Sequence, residues 1–268
     1  MSSDERALLS ESEFEALKDA DLSVLISPYL IIGLVIVAMF LLIRFYKMPH
    51  IGDQNHDIHP LTTLRRIFAL KYYREGVIAQ FFYVGAQIMC WTFIIQYGTR
   101  VFMAEGMDEQ AAEVLSQRFN IFAMIFFICS RFIATYMMKY VKPAMLLAVF
   151  GILAMVFTVG VIAFQNRMGV YCLVCVSGCM SLMFPTIYGI ALDGLGDDAK
   201  FGAAGLIMAI LGGSVLPPLQ AMIIDQGTVF GDFPATNASF VLPFVCFIIV
   251  TLYGFRIHYE RENRQIVK

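Results

Sequence analysis

Between Gly76 and Gly98 no side chain is charged, yet this apolar run carries Gln80, Gln87 and Gln96 together with Tyr83 and Trp91. At about 100° per residue, Gln80, Val84, Gln87 and Trp91 stack within a narrow arc of a helix, with Tyr83 at its margin. Gln96 points the other way. Amides both donate and accept hydrogen bonds, and an indole or phenol ring offers a flat apolar face. That mixture suits a small polyhydroxylated ring such as a sugar. The same stripe would also serve hydrogen bonding between helices. Leaving an amide without partners in hydrocarbon costs several kcal/mol, so the stripe is expected to face protein or a wet cavity.

A second group lies between residues 181 and 188, where Ser181, Phe184, Pro185 and Tyr188 share one helical face. Pro185 removes a backbone donor and loosens the helix, and the aromatic pair could gate a passage, stack on a ring or pack in a core. Gly212 and Gly213, followed by Pro217 and Pro218, permit close helix approach and a bend or break near mid-span, which is either a passive kink or part of a binding site. Arg131 is the one charge deep inside an apolar run. It is expected to pair with a helix C-terminus or a carboxylate at a gate, or to snorkel. Cys172, Cys175 and Cys179 sit in an apolar run without nearby His or carboxylate and read as small packing residues. Asn237–Ser239 matches a glycosylation triplet, a motif short enough to recur by chance. No Asp, Glu or His lies inside any of the apolar runs, so no catalytic group, metal ligand or cofactor site is expected, and no intramembrane proton carrier.

The elements that must position these residues follow from composition. Of 268 residues 59% are hydrophobic and 15% charged, with a mean hydropathy of +0.72 and a net charge of −2. These values exclude a soluble enzyme domain, a disordered chain and a nucleic-acid binder. Runs long enough to cross a bilayer as helices, roughly 20 residues each, occupy 22–46, 76–98, 119–138, 143–163, 168–192, 201–224 and 233–255. Transmembrane strands would alternate in shorter segments. The expected class is an all-α membrane protein with the lipid bilayer as its solvent.

Loop charges set the expected orientation. Arg44, Lys47, Arg65, Arg66, Lys71, Arg74, Lys139, Lys142, Lys200, Arg256, Arg261, Arg264 and Lys268 fall on one side, against Arg6, Lys18, Arg100, Arg118 and Arg167 on the other. The C-terminal tail 256–268 is therefore expected in the cytoplasm, and the acidic segment 1–21 outside. The polar stretch 47–75 separates one helix from the six in 76–255. A long cytoplasmic loop ahead of a six-helix unit is the centre of a transporter built from two six-helix halves. On that reading the first span is the last helix of an N-terminal half whose other helices the chain lacks.

Three stretches carry a family likeness. They read RRIFALKYYREGVIAQFFYVGAQIMCW over 65–91, SRFIATYMMKYVKPAMLL over 130–147, and MSLMFPTIYGIALDGLGDDAKFGAAGLIMAILGGSVLPPLQAMIID over 180–225. Together they resemble the C-terminal half of the fucose–galactose–glucose branch of the major facilitator superfamily. FPTIY, LG…KFG and the Gly-Gly with downstream Pro occur in family order, while Ser130 stands where the family usually has Gly. The resemblance implies that the helix bearing Gln80, Tyr83, Gln87 and Trp91 lines a central cavity, and that the proton-binding carboxylates belong to the N-terminal half. It implies transport of a sugar (L-fucose or a related hexose) with protons by alternating access in a bacterial inner membrane, with the N-terminal half supplied as a separate chain if at all. The rival expectations are a truncated membrane protein that does not transport, and a seven-helix receptor. Against the latter, the last span has no Lys for a Schiff base, and neither Asp-Arg-Tyr nor Asn-Pro-x-x-Tyr occurs.

Overall fold

A computed structural model describes residues 11–45, 60–229, 231 and 233–266. Residues 1–10 and 46–59, which hold the start of the acidic segment and most of the polar stretch after the first span, lie outside the described residues, as do 267 and 268. The chain divides into two units, 1–58 and 59–268. The described residues of the first form one long helix, α1 (Glu11–Phe45), which starts well ahead of the apolar run and holds Pro28. Polar residues add turns to a helix once its centre is committed, so the end of hydrocarbon need not be the end of the helix.

The second unit is a helical bundle. It comprises α2 (Pro60–Ala69), α3 (Lys71–Ala104), α4 (Glu109–Met137), α5 (Pro143–Ala163), α6 (Arg167–Met180), α7 (Met183–Leu192), α8 (Ala199–Met208), α9 (Gly212–Ile224), the four-residue α10 (Ala235–Ala238) and α11 (Val241–Ile266). Seven helical stretches across the two units are long and apolar enough to cross a membrane. The expected tail from 256 onward continues α11 as far as Ile266, and part of the expected loop 47–75 is helical as α2 and the start of α3.

α3 is the axis of the bundle. It packs against α4, α6, α7, α9 and α11, while α11 also lies along α5 and α4 along α6. Tyr83, Met89, Ile94, Tyr97 and Phe102 of α3 are fully buried with Leu173, Met180, Phe240 and Phe247. The outer face of α4 leaves Ile121, Phe122, Ile125, Phe132 and Ile133 exposed, a surface that lipid tolerates and water does not.

Without a hydrophobic drive between helices in lipid, close approach by small residues becomes the cohesive device. A Cβ on Gly254 would sit 3.0 Å from the Ala148 backbone nitrogen on α5, and one on Gly212 would run into the Phe81 carbonyl of α3. The Gly-Gly pair therefore serves contact of α9 with α3. Pro217 and Pro218 both lie inside α9. The irregularity falls upstream, in a 3₁₀ turn at Ala209–Leu211 where the chain passes from α8 to Gly212. Prolines disturb the turn that precedes them, and here that turn is the glycine-containing start of α9.

Charged groups tie the ends. Arg66 on α2 donates to both oxygens of Asp198, at 2.7 and 2.5 Å, and Arg256 on α11 reaches Glu75 on α3 at 2.5 Å. At the opposite end Arg167 bonds Glu105 at 2.6 Å and lies over the Phe102 ring. A two-residue ladder pairs Thr228–Val229 with Phe233–Pro234 and leads into α10.

There Asn237 is buried rather than displayed. Its amide donates to the Val161 carbonyl at 3.0 Å and the Phe164 carbonyl at 3.2 Å, while Tyr97 donates to Phe164 at 2.6 Å. These are the carbonyls that the end of α5 leaves without intrahelical donors. The glycosylation triplet thus holds a helix cap.

Two stability outcomes are expected in thermal melts of the detergent-solubilised protein. Gly212→Val should cost about 1–3 kcal/mol because the Phe81 backbone cannot yield, whereas Gly189→Ala, with nothing within 4 Å of the added Cβ, should leave the midpoint nearly unchanged. Asn237→Ala should cost about 1–3 kcal/mol through the orphaned carbonyls; an unchanged midpoint would remove the cap from the account.

Candidate functional site

The run expected as one span over 168–192 is two helices, α6 and α7, meeting at Ser181–Leu182. The cause is four residues downstream. Pro185 has no N–H for the Ser181 carbonyl and its ring crowds that oxygen. Backbone bonding resumes one residue on, where the Thr186 N–H donates to the Leu182 carbonyl at 3.2 Å. The freed groups find partners on neighbouring helices. Arg131 Nε of α4 donates to the Ser181 carbonyl at 3.2 Å, and the Tyr83 hydroxyl of α3 donates to the Met180 carbonyl at 2.9 Å.

Arg131 therefore engages the C-terminal end of a helix, where the partial negative charge of the backbone favours a cation. Its guanidinium also lies 5.4 Å from the Phe127 ring centroid. Phe127 in turn meets Trp91 edge-on, with centroids 5.1 Å apart at 82°. On the other side of the break Tyr83 contacts Phe184 at 6.3 Å, and Phe184 stacks on Tyr188 at 6.2 Å and 12°. Trp91, Phe127, Arg131, the Ser181 carbonyl, Tyr83, Phe184 and Tyr188 form one connected lining across α3, α4 and α6–α7. Phe184 and Tyr188 are half-buried, and Pro185 beside them is exposed.

Several polar atoms within the site have no hydrogen-bond partner among the described residues. They are both side-chain polar atoms of Gln80, Trp91 Nε1 and the Ser181 hydroxyl, all shut off from solvent. The Asn120 carbonyl oxygen shares that condition, and Asn120 lies on the same face of α4 as Phe127 and Arg131 by helical spacing. Buried polar groups are normally satisfied, and these have no partner among the described residues. Gln87 is half-buried, and Gln96 is exposed on the far side of α3. With amides, an indole and ring faces, the arrangement can bind and orient a hydroxylated molecule.

Not every sequence candidate joins this lining. Gly212, Gly213, Pro217 and Pro218 belong to α9, whose glycines meet α3 at Phe81, Gly85, Val84 and Ile88, so α9 borders the amide stripe at Val84 and packs on α3 opposite Tyr83. Phe127 escaped the sequence reading, although its spacing four residues before Arg131 was a usable signal. Asn120 carried none beyond its polarity in an apolar run.

No protein-family model matches the chain. It is 50% identical over 249 residues to the L-fucose-proton symporter of Haemophilus influenzae, covering 92% of this chain and 56% of that protein. The Escherichia coli L-fucose-proton symporter is 28% identical over 252 residues, again 92% of this chain and 54% of the relative. Among solved structures, a major facilitator superfamily transporter, FucP, in the outward conformation superposes with a TM-score of 0.75 at 26% identity, over 96% of this chain and 60% of that one. The chain carries the C-terminal part of a major facilitator fold. It spans little more than half the length of the curated relatives it matches. The proline break of α6–α7 and the aromatic residues of α3 and α4 belong to the second unit, 59–268.

The coupling between Pro185 and Arg131 can be measured. Arg131→Gln should destabilise the protein by about 1–3 kcal/mol. In a Pro185→Ala background the restored N–H can serve the Ser181 carbonyl, so the same change should cost at least about 1 kcal/mol less. Additive effects in the double-mutant cycle would mean that Arg131 does not answer the proline.

Proposed function

We propose that this chain supplies one wall of a pathway that carries L-fucose or a related hexose across the membrane together with protons, by alternating access. The observation that carries the reading is the set of unpartnered groups on Gln80 and Trp91, on the same helix whose Tyr83 meets the Phe184–Tyr188 stack. Support comes from the 50% identity of the chain to a protein named L-fucose-proton symporter. Gln87 completes the amide stripe, and Arg131 with Pro185 holds the break against which the aromatic residues are set. The opposing wall and the proton-binding carboxylates would come from a further set of helices, on the same polypeptide or on another. The relatives at 50% and 28% identity are named symporters, which supports reading the work as transport. We place the protein in a bacterial inner membrane with residues 256–268 in the cytoplasm, on the distribution of Lys and Arg between its loops.

The test joins this chain to the portion of the Haemophilus influenzae symporter that it does not cover and follows uptake of labelled L-fucose. Gln87→Ala and Trp91→Ala should each weaken apparent affinity about 5- to 150-fold, the loss of one desolvated partner. Gln96→Ala should leave it within about twofold of the parent. Equal losses at positions 87 and 96 would reassign the amides to general packing. Labelling of a cysteine at position 258 by a membrane-impermeant reagent from outside would reverse the orientation.

A further inference from the structure

We infer that α2 is a strap that holds one end of the candidate pathway shut, with the Arg66–Asp198 pair as its catch. The inference rests on the transport reading above and concerns the end of the bundle that carries Arg256. Three successive residues of α2 make the contact. Ile67 is 1% exposed and belongs to a compact apolar cluster with Tyr73, Ala191, Leu195 and Leu206. Phe68 meets the Tyr73 ring edge-on, with centroids 5.4 Å apart at 88°. Arg66 bonds both carboxylate oxygens of Asp198. Tyr188 packs against the same cluster, so the aromatic run Tyr83–Phe184–Tyr188 ends where α2 is seated.

The seat gathers four helix ends. A single residue, Leu70, separates α2 from α3. Its N–H donates to the Ile67 carbonyl at 3.0 Å and its carbonyl accepts from the Arg74 N–H at 3.1 Å, so α3 sets the direction of α2. From α3, the Tyr73 hydroxyl donates to the Gly202 carbonyl of α8 at 2.8 Å. Asp198 is delivered by the turn between α7 and α8, where Gly194 and Gly196 take φ of +82° and +53° and Leu195 between them is anchored in the cluster. Parting α7 or α8 from α3 at this end therefore uncovers Ile67 and strains the Tyr73 bond, yet alternating access requires each end to open in turn. The two parts of the strap differ in kind. The apolar seat is buried, while the side chains of Arg66 and Asp198 are 68% and 25% exposed. An ion pair so exposed is screened by salt and weak by itself. A weak catch beside a firm seat opens and recloses.

The experiment uses the full chain joined to the portion of the Haemophilus influenzae symporter that it does not cover, in inside-out membrane vesicles. Gly189→Cys is the reporter, one residue beyond Tyr188 and with nothing of this chain within 4 Å of an added Cβ. Its reaction with a membrane-impermeant maleimide is timed without sugar, by mass spectrometry of the peptide that holds it. Arg66→Gln or Asp198→Asn should speed the reaction about two- to fivefold. The exchanged pair, Arg66→Asp with Asp198→Arg, should restore the parent rate. Phe68→Ala should speed it at least about tenfold. Raising the ionic strength should reproduce the charge variants in the parent and leave Asp198→Asn unchanged; this arm needs no substitution in the strap. An unchanged rate in both Phe68→Ala and Asp198→Asn would overturn the strap. A rise in Phe68→Ala alone, with neither salt nor the charge variants acting, would overturn the catch. Uptake of labelled L-fucose by the same proteins separates the two readings. No uptake by the parent beside the full labelling pattern would refute transport and leave the strap, whereas normal uptake beside flat labelling would refute the strap and leave transport.

Discussion

Pro185 leaves one carbonyl, that of Ser181, without the donor a continuous helix would provide, and the bundle is organised around answering it. In water such a group would be solvated at little cost; in hydrocarbon an unpaired carbonyl costs several kcal/mol. Arg131 needs a counterpart for the same reason, since an isolated cation at that depth is unfavourable. The Arg131–Ser181 bond at 3.2 Å settles both demands at once and fixes α4 against the α6–α7 junction. Tyr83 does the same for the Met180 carbonyl from α3. The aromatic lining then follows, because Phe127 lies under the guanidinium and Phe184 beside the phenol.

The other cohesive element is shape. α9 approaches α3 through Gly212, and α11 approaches α5 through Gly254, with backbone opposite backbone in each case. Small residues substitute for a hydrophobic drive that lipid does not supply. At the bundle ends, where the solvent changes, the linkages change kind: ion pairs such as Arg256–Glu75 and Arg167–Glu105, and the Asn237 cap on α5.

Much of the fold was legible because length and hydropathy alone count spanning helices. The side of α3 that carries Gln80 and Trp91 was legible from helical spacing, as was the solitary charge at Arg131. A helix C-terminus was among the partners expected for that charge; which carbonyl it would be was not legible, because a sequence does not display which carbonyl a proline will free until the break is located. The triplet at Asn237 stays undecided in sequence for a related reason: a glycosylation signal and a helix cap use the same asparagine, and burial tells them apart. The residues from Gly212 to Pro218 pointed to a bend or break near mid-span; the irregular turn lies at Ala209–Leu211, just ahead of the point where Gly212 meets Phe81.

A bond to the main chain has a genetic signature unlike a bond between side chains. Any residue at position 181 still presents a carbonyl, so that position can vary freely in identity, within its packing limits, while the contact persists. The dependence runs one way, from Arg131 to a backbone whose break is written at Pro185. Searches for paired substitutions would find nothing linking 131 to 181. They would find the link displaced by four positions, between the arginine and the proline that frees the carbonyl.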